Sequence, residues 1–326
     1  MSVHPALHTI VSRFAAAELH AARAGREVMG ALAQIAAESS ATSTAELANE
    51  LEAAIDILLA VMPAYAPPLN VMHRIMVRVE EGQDDGLTVE ELKAALAGEA
   101  ECYQRWSEEA REKVACYGAA LIPDGAALFT FTLSETVMGT LKQAHQQGKK
   151  FRVLVTESRP NRDGLTTTAL LDELGVSVAI SIDACIGELV PQADMVLIGA
   201  EAVMADGSAI CKVGTYPTAL VAKTHGVPVF VVADTMKFNA TSALGLPLWL
   251  APLASSDVLP ADLTGRAEVV GHLFDRTPAA LIAGVVTERG VLSPVDCSAA
   301  ISAMPLSKTL AGKLVEWAYR PDPYRA

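Results

Sequence analysis

The sequence has few of the residues that mark disulfide frameworks, membrane spans or disordered tails. Its five cysteines are odd in number and form no Cys-x-x-Cys pair. That argues against a disulfide framework or a structural zinc site and fits a reducing, cytoplasmic location. Only 19% of the residues are charged, too few for a disordered tail. The chain begins without the apolar core of a secretory signal, and no apolar run approaches the roughly 18 residues of a membrane span. We therefore expect no membrane partner.

Positive charge is also scarce. Lys and Arg number 25 against 38 Asp and Glu, so the net charge is −13. This balance disfavours a surface that neutralises nucleic-acid phosphates but leaves room for a local basic pocket. The seven histidines show no metal-ligand spacing, and the sequence has neither Gly-x-Gly-x-x-Gly nor a Walker motif. We expect no nucleic-acid partner, no metal and no nucleotide cofactor.

The N-terminal third has the apolar spacing of helices. Leu47, Leu51, Ile55 and Leu58 recur at intervals of three and four residues, which indicates one buried helical face. Thr88 and Glu91 form a capping box that begins a helix, which we expect to run to about Tyr117 and end at Gly118. No strand pattern occurs here, so residues 1–120 are predicted to form a helical domain.

Residues 121–326 instead alternate short apolar runs with amphipathic stretches. The predicted strands are Ala126–Thr132, Phe151–Thr156, Val176–Ile182, Met195–Gly199 and Val227–Ala233. The predicted helices are Glu135–Gln147, Leu165–Leu174, Cys185–Gln192 and Thr215–His225, and 273–292 is expected to add one helix and a strand. Strand–helix alternation predicts an α/β fold: an open parallel sheet with helices on both faces.

Polar side chains follow each predicted strand. They are Thr132 and Ser134, then Arg159 and Asp163, then Asp183, Glu201 and Asp234. Ligands of open parallel sheets bind at the carboxyl ends of the strands, so we expect these residues to surround one site. For Ser134 or Asp183 taken alone, a helix cap or turn residue is the preferred interpretation.

Two segments could bind a phosphate. Lys212-Val213-Gly214-Thr215 begins a predicted helix, where free N–H groups and the lysine would attract an anion. Arg159 lies in a proline-containing loop and could bind a phosphate through two nitrogens. The alternative is that Arg159 pairs with Glu157 or Asp163 and only supports the loop.

Six motifs in order resemble one known superfamily. They are Thr156–Pro160, Ile198–Glu201, Ala205–Ser208, Lys212–Thr215, Val231–Phe238 and Thr277–Pro294. The superfamily joins the alpha, beta and delta subunits of eukaryotic translation initiation factor 2B with methylthioribose-1-phosphate isomerase and ribose-1,5-bisphosphate isomerase. The resemblance implies an N-terminal helical domain, a Rossmann-like C-terminal domain and a homodimer built on the latter.

The resemblance also implies a chemistry. The isomerases open a furanose 1-phosphate and convert the aldose to a ketose phosphate without metal or nucleotide. They place a cysteine after the first strand and an aspartate after the fourth, and the matching catalytic positions here are Thr132 and Glu201. A threonine hydroxyl is a much weaker acid than a thiol. Glutamate keeps the charge of aspartate but reaches one methylene farther.

The binding positions differ as well. The family's Arg-Pro-Thr corresponds to Ala66-Pro67-Pro68, its loop glutamine to Asp163, and its Asn-Lys pair to Cys211-Lys212. Arg23-Ala24-Gly25 resembles a rearranged phosphate loop. The candidate residues for binding substrate and phosphate are Arg23, Ser134, Arg159, Asp163, Cys211 and Lys212.

Two functions follow from these expectations. The first is an isomerase-like enzyme for a phosphorylated sugar, in which Asp163 and Glu201 either add negative charge that disfavours a doubly phosphorylated substrate or instead form a carboxylate pair of one acid and one base. The second is a non-catalytic regulatory or assembly protein that resembles the initiation-factor alpha subunit and senses a sugar phosphate or a nucleotide.

Overall fold

The computed structural model describes residues 4–15, 19–62, 65–246 and 250–318. These residues form two compact units: one takes the described residues of 1–108, 236–249 and 301–326, and the other takes 109–235 and the described residues of 250–300. A domain is a segment that can fold independently, and compactness alone does not establish this. The domain boundary between residues 120 and 121 therefore stays a prediction.

The described residues contain twelve α-helices and ten strands. The helices are α1 Pro5–Ala15, α2 Ala21–Glu38, α3 Thr44–Leu59, α4 Ala66–Asp84, α5 Val89–Leu121, α6 Glu135–Gln146, α7 Asp163–Glu173, α8 Ile186–Leu189, α9 Thr215–Thr224, α10 Ser255–Val258, α11 Pro294–Ser302 and α12 Lys308–Ala318. The strands are β1 Ala126–Thr130, β2 Phe151–Thr156, β3 Ser177–Ser181, β4 Met195–Gly199, β5 Ala202–Val203, β6 Ala209–Lys212, β7 Val229–Val232, β8 Phe274–Thr277, β9 Gly284–Thr287 and β10 Gly290–Leu292. None of the helices in these ranges is long and apolar enough to cross a membrane.

The first unit is helical, as its apolar spacing predicts. Leu47, Leu51, Ile55 and Leu58 of α3 are all at most 1% exposed, which confirms that they form one buried face. Ser43 caps α3 by accepting a hydrogen bond from the Glu46 amide at 3.2 Å. Pro67 and Pro68 lie in the first turn of α4, where the missing N–H of proline costs no helical hydrogen bond.

Helix α5 begins at the predicted capping box but ends later than predicted. Thr88 and Glu91 bond reciprocally, yet the helix continues past Gly118 to Leu121. A Cβ at Gly118 would lie 2.6 Å from Thr140 Oγ1, so the glycine is there for close packing of α5 on α6. The helix end is satisfied instead by Lys149, whose Nζ donates to the carbonyls of Ala119 and Ile122.

The second unit is built on a seven-stranded sheet. Its order is β10-β9-β7-β4-β1-β2-β3, and every pair is parallel except β10 with β9. The five predicted strands are β1, β2, β3, β4 and β7, within two residues at each end. The apolar side chains of β1, β2, β4 and β7 are mostly buried, for example Leu128, Val153, Leu197 and Val232, because inner strands of a parallel sheet are covered on both faces. β3 was also predicted to be buried, but it lies at the edge of the sheet and is mostly exposed.

Two predicted helices are corrected. Residues 273–292 form three strands, β8, β9 and β10, with only a 3-10 turn at Ala279–Leu281. Pro278, Gly284 and Gly290 interrupt the alanine-rich stretch that favours a helix by composition. Between residues 183 and 192 the predicted helix is reduced to the single turn of α8, with a 3-10 turn on each side.

A smaller antiparallel sheet of order β5-β6-β8 stands beside the main one. Its strands β5 and β6 were not predicted, because two- and four-residue strands give too little alternation to detect. The fold-class prediction, a helical region followed by a mostly parallel α/β sheet, is confirmed. The strand order reverses direction between β1 and β4, and in open α/β sheets the crevice at such a reversal is where ligands bind.

Candidate active site at the sheet edge

Three of the predicted site residues follow neighbouring strands. Thr132 comes two residues after β1, Asp163 begins α7 after the β2 loop, and Glu201 comes two residues after β4. Strand β1 lies between β2 and β4, in register Thr130 with Val155 and with Leu197. Because the three strands are parallel, these residues emerge at the same carboxyl edge, at the reversal of strand order.

The Thr132 side chain is held by the loop after β2. Its Oγ1 donates to Asp163 Oδ2 at 3.1 Å, and its backbone N donates to Ser158 Oγ at 2.7 Å. Its carbonyl accepts from Thr167 Oγ1 at 2.9 Å. The backbone at Thr132 is left-handed, with φ 62°, which is strained for a β-branched residue. The three hydrogen bonds hold that conformation and aim the hydroxyl at Asp163.

Lys212 joins the same group. Its Nζ lies 3.6 Å from Asp163 Oδ2, and the two side chains are only 11% and 16% exposed. The ammonium also lies 5.6 Å from the centre of the Phe274 ring, within the range of a cation–π interaction. Thr132, Asp163 and Lys212, separated in the chain, therefore form one chain of polar contacts.

The backbone of Glu201 is held by the second sheet. Its amide donates to the Ile210 carbonyl at 2.8 Å, and Ala202 pairs with Ile210, so Glu201 lies across from Cys211 when the register is continued. Glu201 Oε2 is buried and has no hydrogen-bond partner among the described residues. An unpaired buried carboxylate oxygen is costly. Cys211 is 1% exposed, and its part in ligand binding stays a prediction.

The loop after β2 is fixed by Asp183. Its two carboxylate oxygens accept from the amides of Ser158 at 2.8 Å and Arg159 at 2.7 Å, which agrees with the interpretation of Asp183 as a turn residue. A Cβ on Gly164 would collide with the Thr156 carbonyl, so only glycine allows α7 to begin this close to β2.

Arg159 makes neither of the ion pairs considered for it. Its Nη2 donates to the Asp257 carbonyl at 2.8 Å, and it is Arg162 whose Nε lies 3.5 Å from Glu157 Oε2. The alternative in which Arg159 pairs with Glu157 or Asp163 is therefore wrong. Its contact with a phosphate stays a prediction.

Ser134 has a structural part. It is the N-cap of α6, where its Oγ accepts from the Val137 amide at 3.4 Å and lies 3.0 Å from Thr136 Oγ1. A Cβ at Gly199 would collide with Ser134, so the serine packs directly on the end of β4. A helix cap was the interpretation preferred for this residue alone, and its role in binding stays a prediction.

The N-terminal end of α9 is not free. Gly214 N and Tyr216 N donate to Asp275 Oδ2 at 2.8 and 3.0 Å, so the amides predicted to bind a phosphate already bind the protein's own carboxylate. Burial raises the pKa of Asp275 to about 6, although hydrogen bonds from the amides of Tyr216, Gly214 and Thr215 oppose the rise. Of the phosphate site predicted at Lys212–Thr215, the Lys212 ammonium is left as the candidate group for binding a phosphate.

Arg23 belongs to the helical unit. It lies on α2, is 54% exposed and donates from Nε to Glu27 Oε1 at 2.9 Å. Two residues further on, a Cβ at Gly25 would lie 2.9 Å from both Pro67 Cβ and Tyr103 Oη, so α2 and α4 are in close contact there. Phosphate binding by Arg23 stays a prediction.

Sequence reasoning missed Asp275 and Phe274, because both lie in a stretch predicted to contain a helix. The sequence Phe274-Asp275-Arg276-Thr277 has no alternation of apolar and polar residues that would have identified a strand. No group of three or more His, Cys, Asp or Glu side chains that could hold a metal occurs within the described ranges.

Comparisons with known proteins agree with this architecture. A family model described as "Initiation factor 2 subunit family" matches residues 19–294. The chain is 30% identical over 278 residues to ribose 1,5-bisphosphate isomerase of Thermococcus kodakarensis, covering 84% of this chain and 86% of the relative. It is 32% identical over 268 residues to methylthioribose-1-phosphate isomerase 2 of Pseudothermotoga lettingae, covering 76% of each.

Solved structures show the same fold. The crystal structure of translation initiation factor eIF-2B from Pyrococcus horikoshii OT3 superposes with a TM-score of 0.75 at 24% identity, covering 89% of this chain and 98% of that one. At this level of identity the similarity concerns the fold alone.

Proposed function

This chain belongs to the initiation factor 2 subunit family, and from that premise we propose that it isomerises a phosphorylated sugar from an aldose to a ketose phosphate. The proposed site is the carboxyl edge of β1, β2 and β4. The observation that carries the proposal is the contact chain of Thr132, Asp163 and Lys212 at that edge. The unpaired carboxylate oxygen of Glu201 lies on the neighbouring strand end. The two relatives named above are sugar-phosphate isomerases by name.

The reaction requires one acid and one base. In a cyclic sugar 1-phosphate the bond between C1 and the ring oxygen breaks, and the ring oxygen takes a proton. The hydrogen on C2 ends on C1, and the hydroxyl on C2 loses its proton to become the ketone. One proton is given and one is taken, so solvent restores both groups and no redox partner is needed.

The residues divide these tasks by their contacts. Glu201 takes the proton of the C2 hydroxyl, because its Oε2 has no partner to give up. In its protonated form Asp163 supplies the proton of the ring oxygen through the Thr132 hydroxyl, whose Oγ1 lies 3.1 Å from Asp163 Oδ2, with the direction of the hydrogen bond between them reversed. A carboxyl group exchanges protons far more readily than a threonine hydroxyl, so Thr132 serves as a relay.

Lys212 binds the anionic part of the substrate. Its ammonium is the cation in contact with Asp163, and Glu201, acting as the base, contributes a negative charge to the same edge. One cation beside a carboxylate favours a substrate with a single phosphate over a bisphosphate. We therefore propose a pentose 1-phosphate with an uncharged group at C5 as the substrate class.

Kinetic and NMR measurements test the proposal together. Methylthioribose-1-phosphate, ribose-1-phosphate and ribose-1,5-bisphosphate are incubated with the protein, and ketose formation is followed by proton and phosphorus NMR. Glu201→Gln is expected to lower kcat by at least about 100-fold, as loss of a general base does. Lys212→Met is expected to raise KM by about 10- to 100-fold, which corresponds to the loss of a charged hydrogen bond.

Two exposed residues provide matched controls. Glu173→Gln at the end of α7 and Lys142→Met on α6 make the same chemical changes outside the site and should leave both constants unchanged. Binding of a sugar phosphate without any ketose signal would contradict the isomerase and favour the regulatory protein. If none of the three sugar phosphates bound, both the isomerase and the regulatory sugar-phosphate sensor would be contradicted.

We also propose that the protein is a cytoplasmic homodimer and that its sheet domain is Rossmann-like. Light scattering on the purified protein tests the oligomeric state directly, and a monomer at micromolar concentration would contradict the predicted homodimer.

A further inference from the structure

The turn between β6 and α9 controls where the Lys212 side chain can go. Lys212 is the last residue of β6, and α9 begins at Thr215. Between them Gly214 has φ 105°, a conformation that only glycine adopts without strain. A Cβ there would also lie 2.6 Å from the Phe131 ring. The chain therefore turns sharply, and Lys212 has little backbone freedom of its own.

Strand β8 holds this turn from the other side. Lys212 pairs with Phe274 and Cys211 with Asp275 in the antiparallel register of β6 and β8. The Asp275 carboxylate reaches past the end of β6 and accepts from Gly214 N and Tyr216 N. Thr215 Oγ1 closes the turn by donating to the Lys212 carbonyl at 2.8 Å.

The carboxylate fills a place that would otherwise attract an anion. The first amides of a helix have no partner within the helix and, with the helix dipole, bind negative groups. Here Asp275 Oδ2 takes them, while Asp275 Oδ1 is buried and has no hydrogen-bond partner among the described residues. A substrate phosphate is thus excluded from α9.

We propose that Asp275 is a positioning residue for Lys212: as a built-in anion at the start of α9, it fixes the turn and so directs the ammonium to Asp163 rather than to the helix. The inference rests on the proposed function, since Lys212 is the residue through which Asp275 acts. Phe274 completes the arrangement, because its ring lies under the Lys212 ammonium.

The unpaired oxygen argues against a purely stabilising part. Burial raises the pKa of Asp275 to about 6, so the ionised form is disfavoured in the folded protein. A residue that served only the fold would do better uncharged. The titratable and charged groups on the elements around it are Cys211 and Lys212 on β6, Tyr216 and Lys223 on α9, Arg276 on β8, and Asp163 and Glu201 near the Lys212 side chain.

Kinetics of two variants and of the wild type test the inference. Asp275→Ala removes the acceptor and is expected to lower kcat/KM by about 10- to 100-fold, as misplacement of a binding group does. Asp275→Asn keeps a hydrogen-bond acceptor without the charge and is expected to retain most of the kcat/KM that Asp275→Ala loses. A charge-assisted hydrogen bond is stronger than a neutral one. The kcat/KM of wild type should therefore fall below pH 6 to the value of Asp275→Asn, and the kcat/KM of Asp275→Asn should show no such step.

A measurement on Lys212 itself separates this inference from the enzyme proposal. The Nζ signals of 15N-labelled lysine are followed by NMR without substrate, and the Lys212 signal is identified by its loss in Lys212→Arg. It is expected to shift with a midpoint near pH 6 in wild type and not in Asp275→Asn. Thr215→Val, which loses the bond to the Lys212 carbonyl, should move the same signal and serves if Asp275→Ala does not fold.

The outcomes are distinct. Asp206→Asn is the control, because Asp206 accepts from the Ser208 amide in the same small sheet but does not contact the Lys212 turn. A Lys212 signal that shifts as expected in a protein without isomerase activity would support positioning and contradict the enzyme. Active protein in which Asp275→Ala changes neither kcat/KM nor the Lys212 signal would overturn the positioning role.

Discussion

At the scale of single residues, strain and unpaired charge are concentrated at the proposed site. Among the residues that the structure describes, three non-glycine residues have positive φ, namely Thr132, Ser158 and Arg162, and all three belong to the loops after β1 and β2. Such conformations cost of the order of 1–3 kcal/mol each and persist where surrounding contacts hold them. Thr132 and Ser158 are held by the hydrogen bond between them, and Thr132 also by its bond to Asp163.

Asp275 gives a prediction at this scale. Its pKa in the folded protein is about 6, raised by burial from an ordinary value of 3.8. The folded protein therefore holds the Asp275 proton more tightly than the unfolded chain does. The resulting contribution to the free energy of unfolding is fully present below pH 3.8 and is lost as the pH rises through about 6. The ionised carboxylate therefore costs about 3 kcal/mol at neutral pH. Relative to wild type, Asp275→Asn should gain unfolding free energy at pH 7.5 and gain none at pH 4, as measured by urea unfolding.

Asp206→Asn is the matched control for this measurement. Burial alone would raise the pKa of Asp206, but hydrogen bonds from Ser208 and the charge of Arg276 outweigh it and lower the pKa. The stability from its ionised form is present at neutral pH and lost in acid. The variant should thus be destabilised at pH 7.5. A gain for Asp206→Asn, or equal effects of both variants at the two pH values, would contradict the assignment.

At the scale of elements, the strands with continuous apolar runs were predictable, and most strands of four residues or fewer were not. β1, β2 and β4 are continuous apolar runs with turn residues at their ends, so hydrophobicity and length alone identify them. β9 pairs with the adjacent β10, but it lies in the alanine-rich stretch that favours a helix by composition. β8 has only four residues, and its pairing partner β6 is distant in sequence, which no local pattern contains. For the same reason Lys212 could be predicted as a site residue and Asp275 could not. Asp275 is brought next to the Lys212 turn only by the pairing of β6 with β8.

Helix α12 gives a prediction at the scale of elements. Its start is capped from α4 by Glu80, which accepts from Ser307 Oγ at 2.7 Å and from the amides of Thr309 at 2.9 Å and Lys308 at 3.2 Å. Glu80→Ala should lower the unfolding free energy by about 1–2 kcal/mol, as loss of a helix cap does, and speed amide hydrogen exchange in α12. Glu81→Ala, which breaks only an exposed pair with Arg78, should change stability by less than about 0.5 kcal/mol.

His73 provides a second contact for the same helix. Its Nδ1 accepts from the Ser307 amide at 3.2 Å, and burial lowers its pKa to about 4. The imidazole is thus neutral near pH 7 and can act as an acceptor. If amide exchange in α12 were the same in wild type and Glu80→Ala, α12 would be held by His73 and apolar packing, and the capping role of Glu80 would be wrong.

At the scale of the whole molecule, topology decides what the site residues can do together. The order β10-β9-β7-β4-β1-β2-β3 puts the ends of β4, β1 and β2 side by side, so residues 132, 163 and 201 follow neighbouring strand ends although they are far apart in sequence. Predicting a parallel sheet was enough to place them at one edge. The same fold occurs in initiation-factor subunits and in isomerases, so function must be argued from the side chains and not from the sheet.

A crystal structure with bound methylthioribose-1-phosphate tests the central claim most directly. The account predicts that the sugar lies at the ends of β1, β2 and β4, with an anionic oxygen within hydrogen-bond distance of Lys212 Nζ and the C2 hydroxyl at Glu201. The start of α9 should remain occupied by Asp275. A phosphate bound to the amides of Gly214 and Tyr216, or a sugar bound away from Lys212 and Glu201, would contradict it.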